Sequence, residues 1–125
     1  MNMAEKIDIL EKIGFEVVHL GINANDQKTA LAVAQCFEMF FGWPVEQGTQ
    51  SIYAGPKLEI MKGDGRGTHG HIAVAVNDIH EAKAYLERKG CTFRDESAKY
   101  DADGNLIVIY LKDEIAGFAV HLLQR

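Results

Sequence analysis

The sequence has few of the features that secreted, membrane and nucleic-acid-binding proteins carry in excess. It contains only two cysteines, and no apolar run is long enough for a membrane span or a signal peptide. Basic residues are in deficit, 13 against 18 acidic ones, so no excess positive charge is present for a nucleic acid or an anionic membrane. We therefore expect a cytoplasmic protein with free thiols and with neither nucleic-acid nor membrane partners.

The length and composition indicate one small globular domain. Hydrophobic residues make up 47% and charged residues 25% of the 125 positions, which argues against disorder. The chain is too short for a (β/α)₈ barrel, which needs ~200 residues, but can bury a core without disulfides. Cys36 lies in the apolar segment ALAVAQCFEMFF, and we expect it to be a small core residue.

An internal duplication is the most informative feature of the sequence. Residues 19–26 read HLGINAND, and residues 71–78, which lie 52 positions later, read HIAVAVND. Residues 55–61 read GPKLEIM, and residues 117–123, which lie 62 positions later, read GFAVHLL. The chain therefore contains two copies of one unit, and the extra ten residues fall before the last strand of the second copy.

Each copy predicts the element order β-α-β-β-β, which defines an α+β fold of two βαβββ modules. Module one covers about residues 15–62, module two covers about 69–125, and both belong to a single domain over 15–125. A helix or lead-in segment precedes them at 1–14. The predicted strands are 15–23, 45–47, 51–54, 57–62, 69–76, 92–94, 106–111 and 117–123.

Capping signals bound the two module helices. Asn25 or Asp26 opens the first helix and Gly42 ends it, while Asp78 opens the second. Helical spacing in the first helix predicts one buried stripe, formed by Ala30, Val33, Ala34, Phe37 and Phe41.

Side chains alternate along a strand, which places four polar residues on the sheet face away from the helices. His19 and Glu59 occupy such positions in module one, and His71 and His121 occupy them in module two. A lone strand histidine is usually a hydrogen-bonded, half-buried residue, and a lone strand glutamate is usually solvated. Four such groups at matched positions of a duplicated unit favour a metal site, because one ion compensates the burial of several polar groups.

The segments VVHLGIN, KLEIMK, HGHIAVAVNDI and GFAVHLLQ resemble the vicinal oxygen chelate superfamily, which includes glyoxalase I and methylmalonyl-CoA epimerase. The resemblance runs from about residue 15 to the C-terminus. It implies a curved mixed sheet around a central cleft that holds a divalent metal, with ligands at His19, Glu59, His71 and His121. It also implies a homodimer.

A closer resemblance is to the glyoxalase-like C-terminal extension of some bacterial 2-keto-3-deoxy-6-phosphogluconate aldolases. The segments SIYAGPKLEIMKG, ESAKYDADGN and YLKDEIAGFAVHLLQ carry it. This chain lacks the aldolase barrel, so the resemblance implies a stand-alone relative with a possible aldolase partner.

The ligand set departs from glyoxalase I and its relatives, which place a carboxylate on the last strand, where this chain has His121. Three histidines and one glutamate suit Zn, Ni, Mn, Fe or Co, and the ligands alone do not choose among them. Glu59 and His121 are the candidate catalytic residues for proton transfer, with Glu59 favoured because a metal-bound imidazole is a poor base. Arg66 is a candidate substrate-binding residue, although its glycine-rich segment, residues 63–70, is more typical of a flexible linker.

These features predict a metal-dependent glyoxalase-like enzyme, a lyase or isomerase. It would act on a small 2-oxo or vicinal-oxygen substrate through an enediolate-type intermediate. The alternative is a non-catalytic small-molecule-binding or accessory domain associated with the aldolase, because fold does not imply function. A thiol-transferase resistance enzyme is disfavoured, because those enzymes place the carboxylate ligand on the last strand. Metal binding distinguishes the enzyme from the accessory-domain alternative.

Overall fold

The computed structural model describes residues 1–125 and contains three helices and eight strands. The helices are α1 (Met3–Ile13), α2 (Gln27–Phe41) and α3 (Ile79–Arg88). The strands are β1 (Glu16–Asn23), β2 (Val45–Gln47), β3 (Ser51–Ala54), β4 (Leu58–Met61), β5 (Gly70–Val76), β6 (Phe93–Tyr100), β7 (Leu106–Leu111) and β8 (Phe118–Gln124). The order β-α-β-β-β occurs twice, which confirms the predicted α+β class and the two βαβββ modules. None of the helices has the length and apolar character needed to cross a membrane.

The strands form one mixed sheet in the order β2-β3-β4-β1-β5-β8-β7-β6. Strands β1 and β4 pair in parallel, with Leu20 opposite Leu58 and Gly21 opposite Glu59. The pairs β2–β3, β3–β4, β6–β7 and β7–β8 are antiparallel. A parallel pair needs a crossover connection, and α2 with the hairpin after it supplies the connection between β1 and β4.

The chain divides into two compact units, each of which has its own core. Unit 1 consists of Met1–Val17, Ala73–Glu114 and Val120–Arg125, and unit 2 consists of Val18–Ile72 and Ile115–Ala119. Aliphatic strand residues pack against the small residues of α2 in the unit 2 core, whose fully or nearly fully buried members are Ala24, Ala30, Ala34, Ile52, Ala54 and Ile60. The strand residues Ile22 and Leu58 pack against this core, as the alternation predicts.

The core of unit 1 packs strand residues against both α1 and α3. Its buried residues include Ile13 of α1, Ile79 and Tyr85 of α3, and Val76 and Leu122 of the sheet. Gly14 ends α1 in the left-handed conformation (φ +66°), and the Asn77 backbone N–H then donates to the Ile13 carbonyl at 2.9 Å. The N-terminal segment is thus a helix anchored on the second module.

Aspartate side chains begin both module helices. Asp26 accepts a hydrogen bond from the Thr29 backbone N–H at 2.7 Å, so Asp26 is the N-cap of α2. Asp78 accepts from the backbone N–H groups of His80 and Glu81 at 3.0 and 3.2 Å. These contacts satisfy backbone donors that a helix start leaves unpaired, and they confirm the predicted helix starts.

The predicted buried stripe of α2 is correct at Ala30 and Ala34 and wrong at Phe41, which is 60% exposed. The prediction that Cys36 is a core residue is also wrong, because Cys36 is exposed. Successive helical residues lie about 100° apart, so Cys36 points nearly opposite to the buried Ala34. Phe41 stacks on Trp43 with ring centroids 4.9 Å apart, so it packs on another exposed ring and not under the sheet.

Strand β6 is longer than the predicted 92–94. The charged run Arg94, Asp95 and Glu96 masks its strand character, but charged side chains are common on edge strands because they discourage pairing with other chains. β6 is an edge strand of the sheet. Its register shifts between Arg94 and Lys99, where the buried Ser97 hydroxyl donates to the Arg94 carbonyl at 2.6 Å and accepts from the Tyr110 N–H at 2.9 Å.

Candidate metal centre

Three of the four predicted ligands meet in unit 2. The parallel register of β1 and β4 sets Gly21 beside Glu59, and alternation turns His19 and Glu59 away from the core beneath α2. The third residue, His71, is the second residue of β5 and is buried. Sequence alternation therefore identified side chains that the fold brings together.

The polar atoms of these three side chains converge. Nε2 of His71 lies 3.0 Å from Oε1 of Glu59, and Nε2 of His19 lies 3.9 Å from the same oxygen. The two Nε2 atoms are 3.2 Å apart, and the rings meet edge to face with centroids 5.2 Å apart. Two imidazoles and one carboxylate thus direct one atom each at a common point.

These separations fit the ligand shell of a divalent ion. Two donor atoms about 2.0–2.1 Å from one tetrahedral ion lie roughly 3.3 Å from each other. The His71–Glu59 and His19–His71 distances are close to that value. Imidazole and carboxylate also suit Zn, Fe, Ni, Co or Mn, so the donor chemistry agrees with the geometry.

The second oxygen of Glu59 is held by two hydroxyl groups. Tyr53 donates to Oε2 at 2.8 Å, and Ser51 donates to the same oxygen at 3.0 Å. The antiparallel register of β3 and β4 places Tyr53 directly opposite Glu59, and Ser51 lies two residues earlier on the same face. The carboxylate is therefore fixed from both sides.

These contacts set the protonation states of the site. The hydrogen bond from His71, which outweighs the opposing effect of burial, acts with those from Tyr53 and Ser51 to lower the pKa of Glu59 to about 2. Burial and the neighbouring His71 lower the pKa of His19 against the weaker opposing effect of Glu59. Burial and the Glu59 hydrogen bond raise the pKa of Tyr53. At neutral pH the site thus has an ionised carboxylate and a neutral His19, which are the states that metal ligation requires, and Tyr53 keeps its hydroxyl proton.

A glycine makes room for the His71 ring. A Cβ atom at Gly21 would overlap the imidazole of His71. At Gly21 the side chain of a predicted ligand therefore fills the space that a Cβ atom would occupy. Gly21 lies two residues from His19 on the same face of β1. This strand therefore carries the ligand His19 and also leaves space for the ring of His71.

The fourth predicted ligand, His121, lies in β8 within unit 1 and is buried. Its Nδ1 is 3.1 Å from the Leu122 carbonyl, and its ring centroid is 4.8 Å from that of Tyr110. A carbonyl can only accept, so Nδ1 carries the proton and a neutral ring has its lone pair on Nε2. His121 is therefore in the tautomer that ligates through Nε2, while its role as ligand or proton acceptor stays a prediction.

No protein-family model and no curated protein matches this chain, but solved structures do. The hypothetical protein BH1468 of Bacillus halodurans C-125 is 17% identical, with a TM-score of 0.60 over 90% of this chain and 95% of that one. Methylmalonyl-CoA epimerase in complex with methylmalonyl-CoA and NH₄⁺ is 17% identical, with a TM-score of 0.58 over 88% and 94%. Methylmalonyl-CoA epimerase of Mycobacterium tuberculosis is 16% identical, with a TM-score of 0.59 over 90% and 89%.

The chain has a glyoxalase-like α+β fold, which it shares with these structures. These similarities cover nearly the whole length of each protein, so both βαβββ modules are included. At 16–17% identity they show the fold alone. The closer resemblance to the aldolase extension is not among these findings and stays a prediction.

The segment that connects the modules of this glyoxalase-like fold is anchored at its centre. Asn23 Nδ2 donates to the Gly67 carbonyl at 2.9 Å and to the Gly65 carbonyl at 3.4 Å. Gly67 has φ +86°, and a Cβ there would overlap the Gly70 carbonyl oxygen. The sequence indicated a flexible linker here, but these contacts hold the backbone around the exposed Arg66 in place.

The histidine next to this segment, His69, is exposed. Its ring packs on Phe118 with centroids 5.9 Å apart, and its backbone N–H donates to the Gly117 carbonyl at 2.9 Å. These contacts are structural.

Sequence reasoning did not assign the roles of Ser51 and Tyr53. A signal was present, because Gly55 and Pro56 form a turn signal between two short strands. A hairpin centred there places Tyr53 opposite Glu59, as the register shows.

Proposed function

We propose that this protein is a metal-dependent enzyme of the glyoxalase type, a lyase or isomerase. It acts on a small 2-oxo or vicinal-oxygen substrate through an enediolate-type intermediate. The observation that carries the proposal is the convergence of His19, Glu59 and His71, in which His71 Nε2 lies 3.2 Å from His19 Nε2 and 3.0 Å from Glu59 Oε1. Two of the three separations between these ligand atoms are close to those that one ion requires, so an ion would replace the protons shared between them.

We propose His121 as the fourth ligand. The support is the duplication, since residues 55–61 and 117–123 align His121 with Glu59. A divalent ion with three neutral imidazoles and one carboxylate keeps a formal charge of +1, which favours an anionic substrate oxygen.

When bound, the ion supplies Lewis-acid chemistry toward two neighbouring oxygens of the substrate. The residues of the chain set the remaining roles. A pKa of about 2 makes Glu59 a weak proton acceptor at neutral pH and favours its role as a ligand. Of the two predicted catalytic residues, His121 is then the better candidate for proton transfer in any state in which its Nε2 is not ligated.

We propose Arg66 as a substrate contact. Its backbone segment is tied to Asn23, which lies four residues beyond His19 on the same strand face, about 13 Å along β1. That separation suits the far end of a substrate and not a metal ligand. Asn23 Oδ1 is buried without a hydrogen-bond partner, so a ligand hydroxyl there would satisfy it. A guanidinium at this position would bind a carboxylate or phosphate.

We further propose that the protein works as a homodimer, as the resemblance implies. Apolar rings at the end of α2 support a protein contact, since Phe40 is 69% and Phe41 60% exposed. Trp43 stacks beside Phe41 and holds the cluster together. An aldolase partner is the alternative occupant of such a surface.

Metal content tests the function directly. Mass spectrometry of the untagged protein is expected to find close to one divalent ion per chain after incubation with Zn, Ni, Mn, Fe or Co. The metal content should fall in Glu59→Ala and His121→Ala. His80→Ala is the matched control, because His80 is exposed on α3 outside the predicted ligand set.

Turnover on a panel of 2-oxo compounds is the second part of the test. Activity that follows metal content across the variants supports the enzyme. Protein that takes up none of the five metals contradicts the proposal and favours the accessory-domain alternative, whose next test is co-purification with the aldolase.

A further inference from the structure

The two oxygens of the Glu59 carboxylate have different surroundings. Oε1 faces the imidazoles of His71 and His19, while Oε2 accepts hydrogen bonds from Tyr53 and Ser51. The two hydroxyls approach at 2.8 and 3.0 Å, which is within the range of good O–H···O bonds. The carboxylate is thus divided into a histidine side and a hydroxyl side.

Both hydroxyl residues are placed by the β3–β4 hairpin. Tyr53 and Glu59 form a directly opposed pair, and side chains of such pairs are close enough to interact. Ser51 is only 5% exposed, and a buried hydroxyl requires a partner, which Glu59 provides. Ser51 therefore cannot turn away from the carboxylate without leaving its buried hydroxyl unpaired.

We propose that Ser51 and Tyr53 are positioning residues that make Glu59 a ligand through one oxygen only. The proposal rests on the proposed function, since it assigns roles around the same metal. Two O–H donors on Oε2 fix the plane of the carboxylate and leave Oε1 to the ion. Without them the carboxylate rotates more freely, so the ion loses a ligand that is held in position and binds more weakly. Both oxygens can then contact the ion, which changes its coordination number.

Partners of this kind commonly change metal affinity 10–100-fold when they are removed. We therefore expect Tyr53→Phe to bind Co²⁺ about 10-fold more weakly and Ser51→Ala/Tyr53→Phe about 100-fold more weakly. The visible absorption of bound Co²⁺ should also change, because its intensity and maxima report coordination number. A merely structural role for Tyr53 would leave this spectrum unchanged.

The experiment titrates the metal-free full chain with Co²⁺ and follows the visible spectrum, with chelator competition for the affinity. Tyr100→Phe is the matched control, because Tyr100 is a 62% exposed tyrosine in unit 1. Thermal unfolding of each variant checks that the fold is retained. The expected result is an unchanged Tyr100→Phe and a weakened, spectrally altered Tyr53→Phe.

Two results would overturn the proposal in distinguishable ways. If the unsubstituted protein binds Co²⁺ and both Tyr53→Phe and the double variant keep its affinity and spectrum, the positioning role is wrong and the metal site stands. If the unsubstituted protein binds neither Co²⁺ nor any of Zn, Ni, Mn and Fe, the positioning role fails together with the proposed function.

Discussion

The imidazole of His71 lies against the backbone of Gly21, where no larger residue fits. Gly21→Ala places a Cβ in that ring, and neither the backbone of a paired strand nor the buried ring can move freely. We expect a loss of roughly 1–3 kcal/mol in the free energy of unfolding, as for overpacking elsewhere, and a loss of metal binding. Urea unfolding and metal titration measure the two effects.

Gly63→Ala is the control for this substitution. A Cβ at Gly63 meets nothing within 4 Å, so its stability should change by no more than about 0.5 kcal/mol. Equal losses of stability in Gly21→Ala and Gly63→Ala would mean that the placement of the His71 ring does not require glycine at position 21.

Acid should destabilise the metal-free protein through Glu59. Its pKa is about 2 in the folded protein against 4.5 for the unperturbed group. The stabilisation is therefore fully present above pH 4.5 and is lost as the pH falls through 2, with an upper bound of about 3 kcal/mol. The lowered pKa of His19 acts in the same direction but at higher pH. The folded protein loses stability relative to the unfolded chain as the pH falls below 6.5, where the unfolded histidine takes up a proton more readily.

Urea unfolding between pH 7 and pH 2 measures this effect. Glu59→Gln should flatten the dependence below pH 4.5, whereas Glu46→Gln, an exposed residue on β2, should leave it as it is. A Glu59→Gln protein with the full acid sensitivity of the original would show that the hydroxyl and imidazole contacts do not set this pKa.

At the scale of single elements, the start of α2 depends on the Asp26 side chain. Its 2.7 Å hydrogen bond from the Thr29 N–H satisfies a backbone donor that is otherwise unpaired. Asp26→Ala is expected to lower the free energy of unfolding by about 1 kcal/mol. The control is Asp64→Ala, an exposed aspartate in the connecting segment, and no difference between the two would contradict the capping role.

Element boundaries were readable from the sequence where a local signal existed. Asp26, Asp78 and Gly42 mark helix ends through contacts within a few residues, so the chain itself specifies them. Strand β6 was underestimated because its charged residues hide an edge strand that only pairing with β7 reveals. The exposed end of α2 was taken for core because periodicity gives direction around a helix but does not show where the sheet beneath it stops.

At the scale of the whole molecule, the predicted homodimer can be tested at the aromatic end of α2. We expect sedimentation equilibrium to find a dimer at micromolar concentration and Phe40→Glu to shift it toward monomer, because a charge would be buried in an apolar contact. Ile115→Glu is the control, since Ile115 is 57% exposed at another location. A stable interface needs roughly 1,000 Å² of buried surface. A protein that stays monomeric at about 100 μM would contradict the dimer.

The sequence by itself determined the duplicated βαβββ order and the strand face of each polar residue. Both follow from local periodicity and from the repeat, which need no knowledge of distant contacts. His19, Glu59 and His71 were identified on this basis, and the sheet brings their polar atoms together.

Only the tertiary structure decided what surrounds those residues. The register of β3 against β4 sets Ser51 and Tyr53 on Glu59, and the approach of His71 to β1 explains Gly21. The anchoring of the 63–70 segment on Asn23 likewise depends on contacts between residues more than 40 positions apart. Alternation fixes the face on which a side chain lies, but pairing between strands fixes its neighbours, and that pairing follows from the free energy of the whole packed chain.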